Sequence, residues 1–292
     1  MKQCPRCHTC FSEPEWHCPQ CHWKVHLIDG YPALAPDMAR QSNGYPVDIH
    51  KELVDLEGSC FWFKGRNKLL QFALNRYFSS AESLLEIGCG TGFVLAGLAG
   101  ERPGMKLIGG DVYIAGLNFA HDRVPQAEFI QMDARYIPYV SEFDVVGAFD
   151  VLEHIDDDLS VLREIFKAVK PRGGCIISVP QHQWLWSLND EIACHKRRYS
   201  RRELKAKIET VGFRVLWTTS FVTLLLPLML LSRITSGIGV KKHDRENVLK
   251  ELKLPGRLNA LFEMIGNLEL AMFRYGISLP AGGSLLCVGR KE

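Results

Sequence analysis

The chain has 292 residues, an apolar fraction of 47% and a net charge of only +2. This composition provides a well-buried core and excludes a disordered chain, and the near-neutral charge argues against a protein that grips nucleic acid with most of its surface. The length accommodates one large α/β domain with a small additional module.

Cysteines are concentrated at the start of the chain. Cys4-Pro-Arg-Cys7 and Cys18-Pro-Gln-Cys21 are two C-x-x-C pairs, and two such pairs form the four-thiolate shell that suits Zn²⁺. We therefore predict a structural zinc ribbon over residues 1–28, with a redox pair as the alternative. A docking role and a purely packing role are both open for this module.

The segment after the cysteines has a different composition. Residues 29–64 are dense in turn-forming residues, notably 29–36 and 42–46, and are predicted to be a linker and lead-in. No apolar run follows Met1, and the other cysteines are scattered. Thiols without an export signal are typical of the reducing cytoplasm, where we expect the protein.

From residue 65, helix and strand patterns alternate. Strands are predicted at 83–87, 106–111, 127–132, 143–149 and 175–179, and helices at 65–78, from 93, and at 159–169. A turn at Gly173-Gly174 is predicted to follow the last of these helices. The alternation predicts an α/β fold, a Rossmann-like doubly wound parallel sheet, over residues 65–220 plus 280–292.

Residues suited to ligand binding follow the predicted strands, at the sheet edge where such folds bind ligands. They are Glu86, Gly88, Gly90 and Gly92 after the first strand, Asp111 at the end of the second, Asp133 after the third and Asp150 after the fourth. Glycines let a ligand approach the backbone, and an acidic side chain after the second strand can accept both hydroxyls of a ribose. The Asp133 carboxylate, after the third strand, is placed to accept a hydrogen bond from an exocyclic amine such as that of adenine.

The spacing of the glycine loop separates two classes of cofactor. The dinucleotide fingerprint would need glycine at position 93, where the chain has Phe93. Glu86, inside the loop, disfavours a pyrophosphate and suits a ligand that carries positive charge, such as an ammonium or a sulfonium.

In the stretches Leu84-Leu-Glu-Ile-Gly-Cys-Gly-Thr-Gly92 and Phe149-Asp-Val-Leu-Glu-His154, the chain resembles the class I S-adenosylmethionine-dependent methyltransferases. The resemblance covers residues 65–220 and a final strand near 285–290. It implies one set of cofactor-binding residues: Glu86, Gly88, Cys89, Gly90 and Gly92 in the loop, Asp111 and Val112 at the ribose, Met132, Asp133 and Ala134 at the adenine, and Phe149 and Asp150 at the methionine end.

The candidate catalytic residues lie after the fourth and fifth strands. Glu153 and His154 are predicted to act as a general base or to assist through a metal; alternatively, they only begin a turn. His195 belongs to an aromatic and basic cluster at 184–199 that is predicted to form an acceptor pocket with one apolar and one anionic half. The alternative for this cluster is a packed lid with solvated arginines.

Residues 221–279 are predicted to be an apolar helical insertion before the last strand. The run 221–231 is too short to span a bilayer, and Pro227 is expected to kink it. A second helix is predicted at 258–275, and basic residues such as Lys241 and Lys242 lie between the two. This pattern favours contact with an anionic membrane surface, with a dimer interface or a cap over the acceptor pocket as alternatives.

These patterns predict methyl transfer from S-adenosylmethionine to an amphipathic small molecule, lipid-linked or quinone-like, on the inner face of a membrane. Two alternatives remain. One is a ribosomal- or transfer-RNA methyltransferase, since some of these combine a zinc ribbon with such a domain, although the charge does not favour nucleic acid. The other is a non-catalytic scaffold that acts through the zinc module.

Overall fold

The computed structural model describes residues 1–40, 49–236 and 253–292. The strands are β1 (Lys2–Gln3), β2 (Cys10–Phe11), β3 (His26–Ile28), β4 (Tyr31–Ala33), β5 (Ser83–Ile87), β6 (Lys106–Asp111), β7 (Glu128–Gln131), β8 (Phe143–Phe149), β9 (Val169–Pro180), β10 (Phe213–Phe221) and β11 (Ser284–Lys291). The helices are α1 (Ile49–Glu57), α2 (Phe61–Tyr77), α3 (Phe93–Glu101), α4 (Ile114–Arg123), α5 (Asp158–Ala168), α6 (Leu188–Ile192), α7 (Arg201–Thr210), α8 (Leu226–Ser236) and α9 (Gly256–Arg274).

Nine of these strands form one sheet in the order β10-β11-β9-β8-β5-β6-β7-β4-β3. Strands β5 to β9 run parallel, and β10 and β11 add an antiparallel pair at one edge. The chain leaves β5 towards β6 and β7 and then returns to the other side of β5 with β8. The predicted Rossmann-like doubly wound fold is confirmed, and the carboxyl ends of β5 and β8 flank its ligand crevice.

Helices cover both faces of the sheet. One buried cluster joins β5 to α2, α3 and α4 through residues such as Leu70, Leu95 and Leu117. A second joins the sheet to α5 and α7 through residues such as Leu162 and Leu204. All five residues of β5 are buried, as is typical of a parallel strand with helices on both sides.

The N-terminal module packs against the loop that leads into β8. The Gln3 amide donates to the Pro138 carbonyl at 2.9 Å, and the rings of Trp16 and Tyr139 meet edge to face at 5.5 Å. Strands β3 and β4 then extend the main sheet, since Ala33 pairs with Gln131 of β7. Residues 29–64, predicted as a linker and lead-in, therefore contribute the strand β4, the helix α1 and the start of α2, whereas β3 lies within the range predicted as the zinc ribbon.

Two local predictions about the backbone were wrong. Gly173 and Gly174 lie within β9, which begins at Val169, and the pairing with β8 shifts register there. Pro227 does not kink a helix, because α8 begins at Leu226 and the proline lies in the first turn, where no backbone donor is needed. Residues 42–46 and Lys241 and Lys242 lie outside the described residues.

The inserted segment forms helices between β10 and β11. Helix α9 packs along α2, and the Leu224 amide donates to the Glu269 carboxylate of α9 at 2.7 Å. Among the described residues, no helix combines the length and the apolar character needed to cross a bilayer.

Candidate active site

The glycine loop after β5 has the backbone that its sequence requires. Gly88, Gly90 and Gly92 have φ angles of 67°, 50° and 73°, a region that side-chain-bearing residues rarely adopt. A Cβ at Gly88 would lie 2.5 Å from Val151 Cγ2, whereas a Cβ at Gly90 would meet nothing within 4 Å. The loop therefore leaves space beside its backbone for a ligand.

Asp111 at the end of β6 organises this loop. Its Oδ2 accepts from the Gly90 amide and its Oδ1 from the Tyr113 amide, both at 2.9 Å. Burial raises the pKa of Asp111, and these backbone hydrogen bonds oppose the rise. The carboxylate thus ties the glycine loop to the start of α4.

Glu86 is buried beneath the loop, and its Oε2 has no hydrogen-bond partner among the described residues. Burial raises the pKa of Glu86 well above its ordinary value. A buried acceptor without a partner is costly unless a ligand supplies the donor. The ammonium group of S-adenosylmethionine is such a donor, so Glu86 fits this cofactor.

The residues predicted to hold the adenine are in a closely packed stretch after β7. Met132 is buried, and the Asp133 carboxylate pairs with Arg135, whose Nη2 lies 2.6 Å from Oδ2. The Gln131 side chain donates to the carbonyls of Val112 and Ala35 at 2.9 and 2.8 Å. The N-terminal segment is therefore bonded directly beside the predicted cofactor residues.

A cavity of about 1050 Å³, including its open mouth, lies at the ends of β5 and β8. Eight residues predicted from the sequence line it: Glu86, Gly88, Cys89, Gly90, Phe149, Asp150, His154 and His195. Seven predicted residues lie outside its lining: Gly92, Asp111, Val112, Met132, Asp133, Ala134 and Glu153.

Much of the opposite wall was not predicted from the sequence. It comes from α1 and α2, with His50, Leu53, Glu57, Trp62 and Arg66. The spacing of residues 49, 53 and 56 is that of an amphipathic helix, a signal that could have identified α1.

One ion pair crosses this cavity. Arg66 of α2 pairs with Asp150, which has a φ of 59° at the end of β8. A left-handed backbone at a residue other than glycine is strained and is common at functional sites.

His195 belongs to a network held by Asp190. The Asp190 carboxylate accepts from His195 Nδ1 at 2.8 Å and from Arg198 Nε at 2.7 Å. Burial would raise the pKa of Asp190, but these hydrogen bonds hold it at about 2. The anionic carboxylate fixes the imidazole, which also lines the cavity.

Glu153, His154 and His195, the three candidate catalytic residues, lie close together although the sequence assigned His195 to a separate cluster. One ligand atom from each lies within 4.8 Å of the others, a spacing that could also hold a metal ion. Burial lowers the pKa of His154 to about 4. Burial, followed by the charge of Asp150, raises the pKa of the fully buried Glu153 well above its ordinary value.

The rest of the 184–199 cluster divides between surface and core. The Trp184 side chain is exposed and stacks on His182. Tyr199 is fully buried and donates to Asp158 Oδ2 at 2.7 Å, so its hydroxyl is used within the core. The predicted aromatic and basic acceptor pocket is therefore reduced to His195 and its network.

The four predicted metal-binding cysteines also come together. The Sγ atoms of Cys4, Cys7, Cys18 and Cys21 lie within 4.8 Å of one another, a group that could hold one metal ion. Cys10, the remaining cysteine of this module, is exposed.

Comparison with known proteins identifies the central domain. Residues 58–217 match the family model described as a methyltransferase domain. The chain is 26% identical over 186 residues to a Mycolicibacterium smegmatis protein named as an S-adenosylmethionine-dependent methyltransferase, a match that covers 62% of this chain and 69% of that protein. It is 30% identical over 158 residues to the ubiquinone biosynthesis O-methyltransferase of Aliivibrio fischeri, covering 48% of this chain and 65% of that protein, less than two thirds of it.

The fold has a solved counterpart. A chain from the complex between the Haloferax volcanii methyltransferase activator Trm112 and a methyltransferase superposes with a TM-score of 0.54 at 16% identity. The match covers 87% of this chain and 96% of that chain, and at this identity it shows the fold alone.

Proposed function

The chain belongs to the methyltransferase domain family and is an S-adenosylmethionine-dependent methyltransferase, and on that premise we propose that it methylates an oxygen atom of an amphipathic small molecule at a membrane surface. The observation that carries the proposal is the Asp190–His195 pair at the wall of the cofactor cavity. The name of the ubiquinone biosynthesis relative supports the choice of an oxygen acceptor.

An acceptor hydroxyl must lose its proton when its oxygen is methylated, and this requirement defines the role of the protein. When bound, the cofactor supplies a methyl group that is already activated on a sulfonium. The new bond joins that carbon to the acceptor oxygen, the carbon–sulfur bond breaks to leave a thioether, and the hydroxyl proton must go to a base. His195 is held by Asp190 in the orientation of a general base, and its Nε2 can take that proton.

Support for an amphipathic acceptor comes from exposed side chains on the inserted helices. Ten of the fourteen exposed large apolar residues in the described part of the chain lie between 224 and 277. We call these ten the apolar ridge: Leu224, Leu228, Leu230, Leu231, Leu258, Leu261, Met264, Leu268, Tyr275 and Ile277. Exposed Arg257 and Arg274 stand at the two ends of α9, and apolar side chains bordered by cations suit an anionic leaflet.

We also propose zinc at the four N-terminal thiolates. This module has a small apolar core around Phe11 and Trp16, so the metal would supply much of its folding free energy. Metal analysis of the purified protein should find zinc, and Cys18→Ser should release it. Zinc retained by that variant would contradict the proposed ligand set.

The acceptor is tested with radiolabelled S-adenosylmethionine and fractionated cell extract. Label should enter the organic-solvent fraction, and His195→Gln should slow transfer by about 10²–10⁴-fold because the base is lost. The thermal shift by S-adenosylhomocysteine should persist in this variant, and exposed His26→Gln serves as the control. Label in RNA would overturn the proposed acceptor, and undiminished transfer by His195→Gln would overturn the proposed base.

A further inference from the structure

A second, largely apolar cleft lies beside the cofactor cavity, between α2 and α9. Counting the open solvent at its mouth, about 430 Å³ in and around the cleft is free of protein atoms. Its walls are mainly aromatic and aliphatic: Phe61, Trp62, Leu69, Phe221, Val222, Leu225, Phe262, Leu270 and Phe273. Polar contacts hold the two helices together beside it, with Lys64 and Lys68 both paired to Glu263.

The cleft and the cofactor cavity share two lining residues, Trp62 and Arg66. The Arg66 guanidinium lies 4.6 Å from the Trp62 ring centroid and pairs with Asp150 at the end of β8. Arg66 Nε is buried and has no hydrogen-bond partner among the described residues. A polar junction at Arg66 therefore lies between two neighbouring spaces, one lined by carboxyl groups and histidines and the other mainly by hydrocarbon.

Two glycines line the cleft from opposite sides, Gly65 in α2 and Gly266 in α9. Glycine weakens a helix interior relative to alanine, and neither position has a left-handed φ that would require it. A Cβ at either position would meet nothing within 4 Å, so close helix packing does not require glycine either. The effect of glycine at these two positions is that no side chain fills the cleft.

Glu269, the other charged residue that lines the cleft, already has a hydrogen-bond partner within the protein. Glu269 accepts from the Leu224 amide at 2.7 Å and is buried. It therefore fastens the loop before α8 to α9. The remaining surface is suited to hydrocarbon.

We infer that this cleft binds the apolar part of the methyl acceptor, a hydrocarbon chain or ring system, while the acceptor hydroxyl passes Arg66 to reach His195. The inference rests on the proposed function in that it takes the acceptor to be amphipathic. The two residues shared by the linings of the cleft and the cavity, Trp62 and Arg66, carry it. Four residues of the apolar ridge lie on α9, the helix that forms one wall of the cleft, which gives such a molecule a route from a lipid surface: Leu258, Leu261, Met264 and Leu268.

The test introduces a larger side chain into the cleft from each of its two helical walls. Protein saturated with S-adenosylhomocysteine is titrated with dansyl-undecanoic acid, whose fluorescence rises in an apolar site. Gly65→Leu and Gly266→Leu should each weaken binding of this probe by about tenfold, because the new side chain occupies the space of several methylene groups. Gly100→Leu, at an exposed glycine in α3 where a Cβ also meets nothing within 4 Å, should bind the probe like the wild type.

The thermal shift by S-adenosylhomocysteine checks that each variant is folded, and Gly65→Ala and Gly266→Ala provide milder variants. Equal probe affinity in the wild type and in both leucine variants would overturn the inference, as would an equal loss in Gly100→Leu. Because this readout is binding, it is independent of catalysis. Label in RNA would overturn the proposed acceptor, whereas unaltered probe binding overturns only the cleft.

Discussion

The cofactor cavity and the apolar cleft share Arg66 in their linings, yet they are built in different ways. The cofactor cavity lies at strand ends, where the buried carboxyl group of Glu86 and the half-buried one of Asp150 are placed by β5, β8 and a glycine loop. The apolar cleft lies between the helices α2 and α9, and the only carboxyl group among its lining residues, Glu269, is bonded to backbone. The cofactor cavity thus depends on charge and backbone geometry, and the apolar cleft on shape.

This difference predicts which substitutions each region of the protein tolerates. Buried charges have few compatible substitutes, because an unpaired charge in a low-dielectric site is costly. Exposed apolar residues such as those of the apolar ridge tolerate change, because their loss leaves neither a cavity nor a polar group without a partner. Changes in the cofactor cavity should therefore reduce stability or cofactor affinity, and changes at the apolar ridge should leave both intact.

The largest effect is expected at Asp190. Asp190→Asn leaves Arg198 buried without its carboxylate, and we expect it to lower the free energy of unfolding by about 3–5 kcal/mol. Denaturant unfolding at neutral pH measures this loss. Glu191→Gln, an exposed change on the same helix, should stay within about 0.5 kcal/mol of the wild type. Equal stability of both variants would show that the ion pair between Asp190 and Arg198 does not stabilise this part of the fold.

A smaller effect, dependent on pH, is expected at His154. Its folded-state pKa of about 4 lies below the unfolded value, so the unfolded chain takes up the proton first as pH falls. Stability that is fully present above about pH 6.5 is then lost towards pH 4, by about 3 kcal/mol. Urea unfolding between pH 7 and 4 should show a shallower fall for His154→Gln than for the wild type or the exposed His26→Gln. Parallel pH curves for all three proteins would refute this assignment.

The next effect concerns cofactor affinity. Asp111→Ala removes the acceptor of the Gly90 and Tyr113 amides, and we expect it to weaken S-adenosylhomocysteine binding by about 10–100-fold. Calorimetric titration measures the affinity. Asp122→Ala, on the exposed side of α4, is the matched control. An unchanged affinity for Asp111→Ala would mean that the loop geometry does not need this carboxylate.

The smallest effect on stability is expected at the apolar ridge. Leu231→Ser and Leu268→Ser change side chains that are 58% and 56% exposed, and the free energy of unfolding should move by less than about 0.5 kcal/mol. Binding to vesicles that contain phosphatidylglycerol should nevertheless fall, whereas Leu27→Ser in the N-terminal hairpin should leave it unchanged. If the ridge variants change only the oligomeric state, the ridge is a subunit interface.

The parts predicted well from the sequence are local in the chain. Glycines at 88, 90 and 92 signal a tight turn after a buried strand, and the strand order then places Asp111 and Asp150 at the same edge. The two C-x-x-C pairs similarly indicate their own cluster. In each case the physical constraint acts within a few residues or through the regular repeat of the sheet, so the pattern is visible in the sequence.

The parts that were missed depend on distant packing. Nothing near Arg66 indicates that it pairs with Asp150, and nothing near Gly65 indicates that Gly266 faces the same cleft. Tyr199 belongs to a cluster that was predicted as a pocket, yet its hydroxyl is buried against Asp158.

The sequence by itself determined the α/β class, the S-adenosylmethionine loop and the cysteine group, because local backbone geometry and strand alternation dictate them. Only the tertiary structure decided which wall closes the cofactor cavity, that His195 lines this cavity while bonded to Asp190, and that an apolar cleft lies beside it. Those features arise where α1, α2 and α9 pack onto the sheet, and side-chain contacts between segments nearly two hundred residues apart leave no periodic signal in the chain.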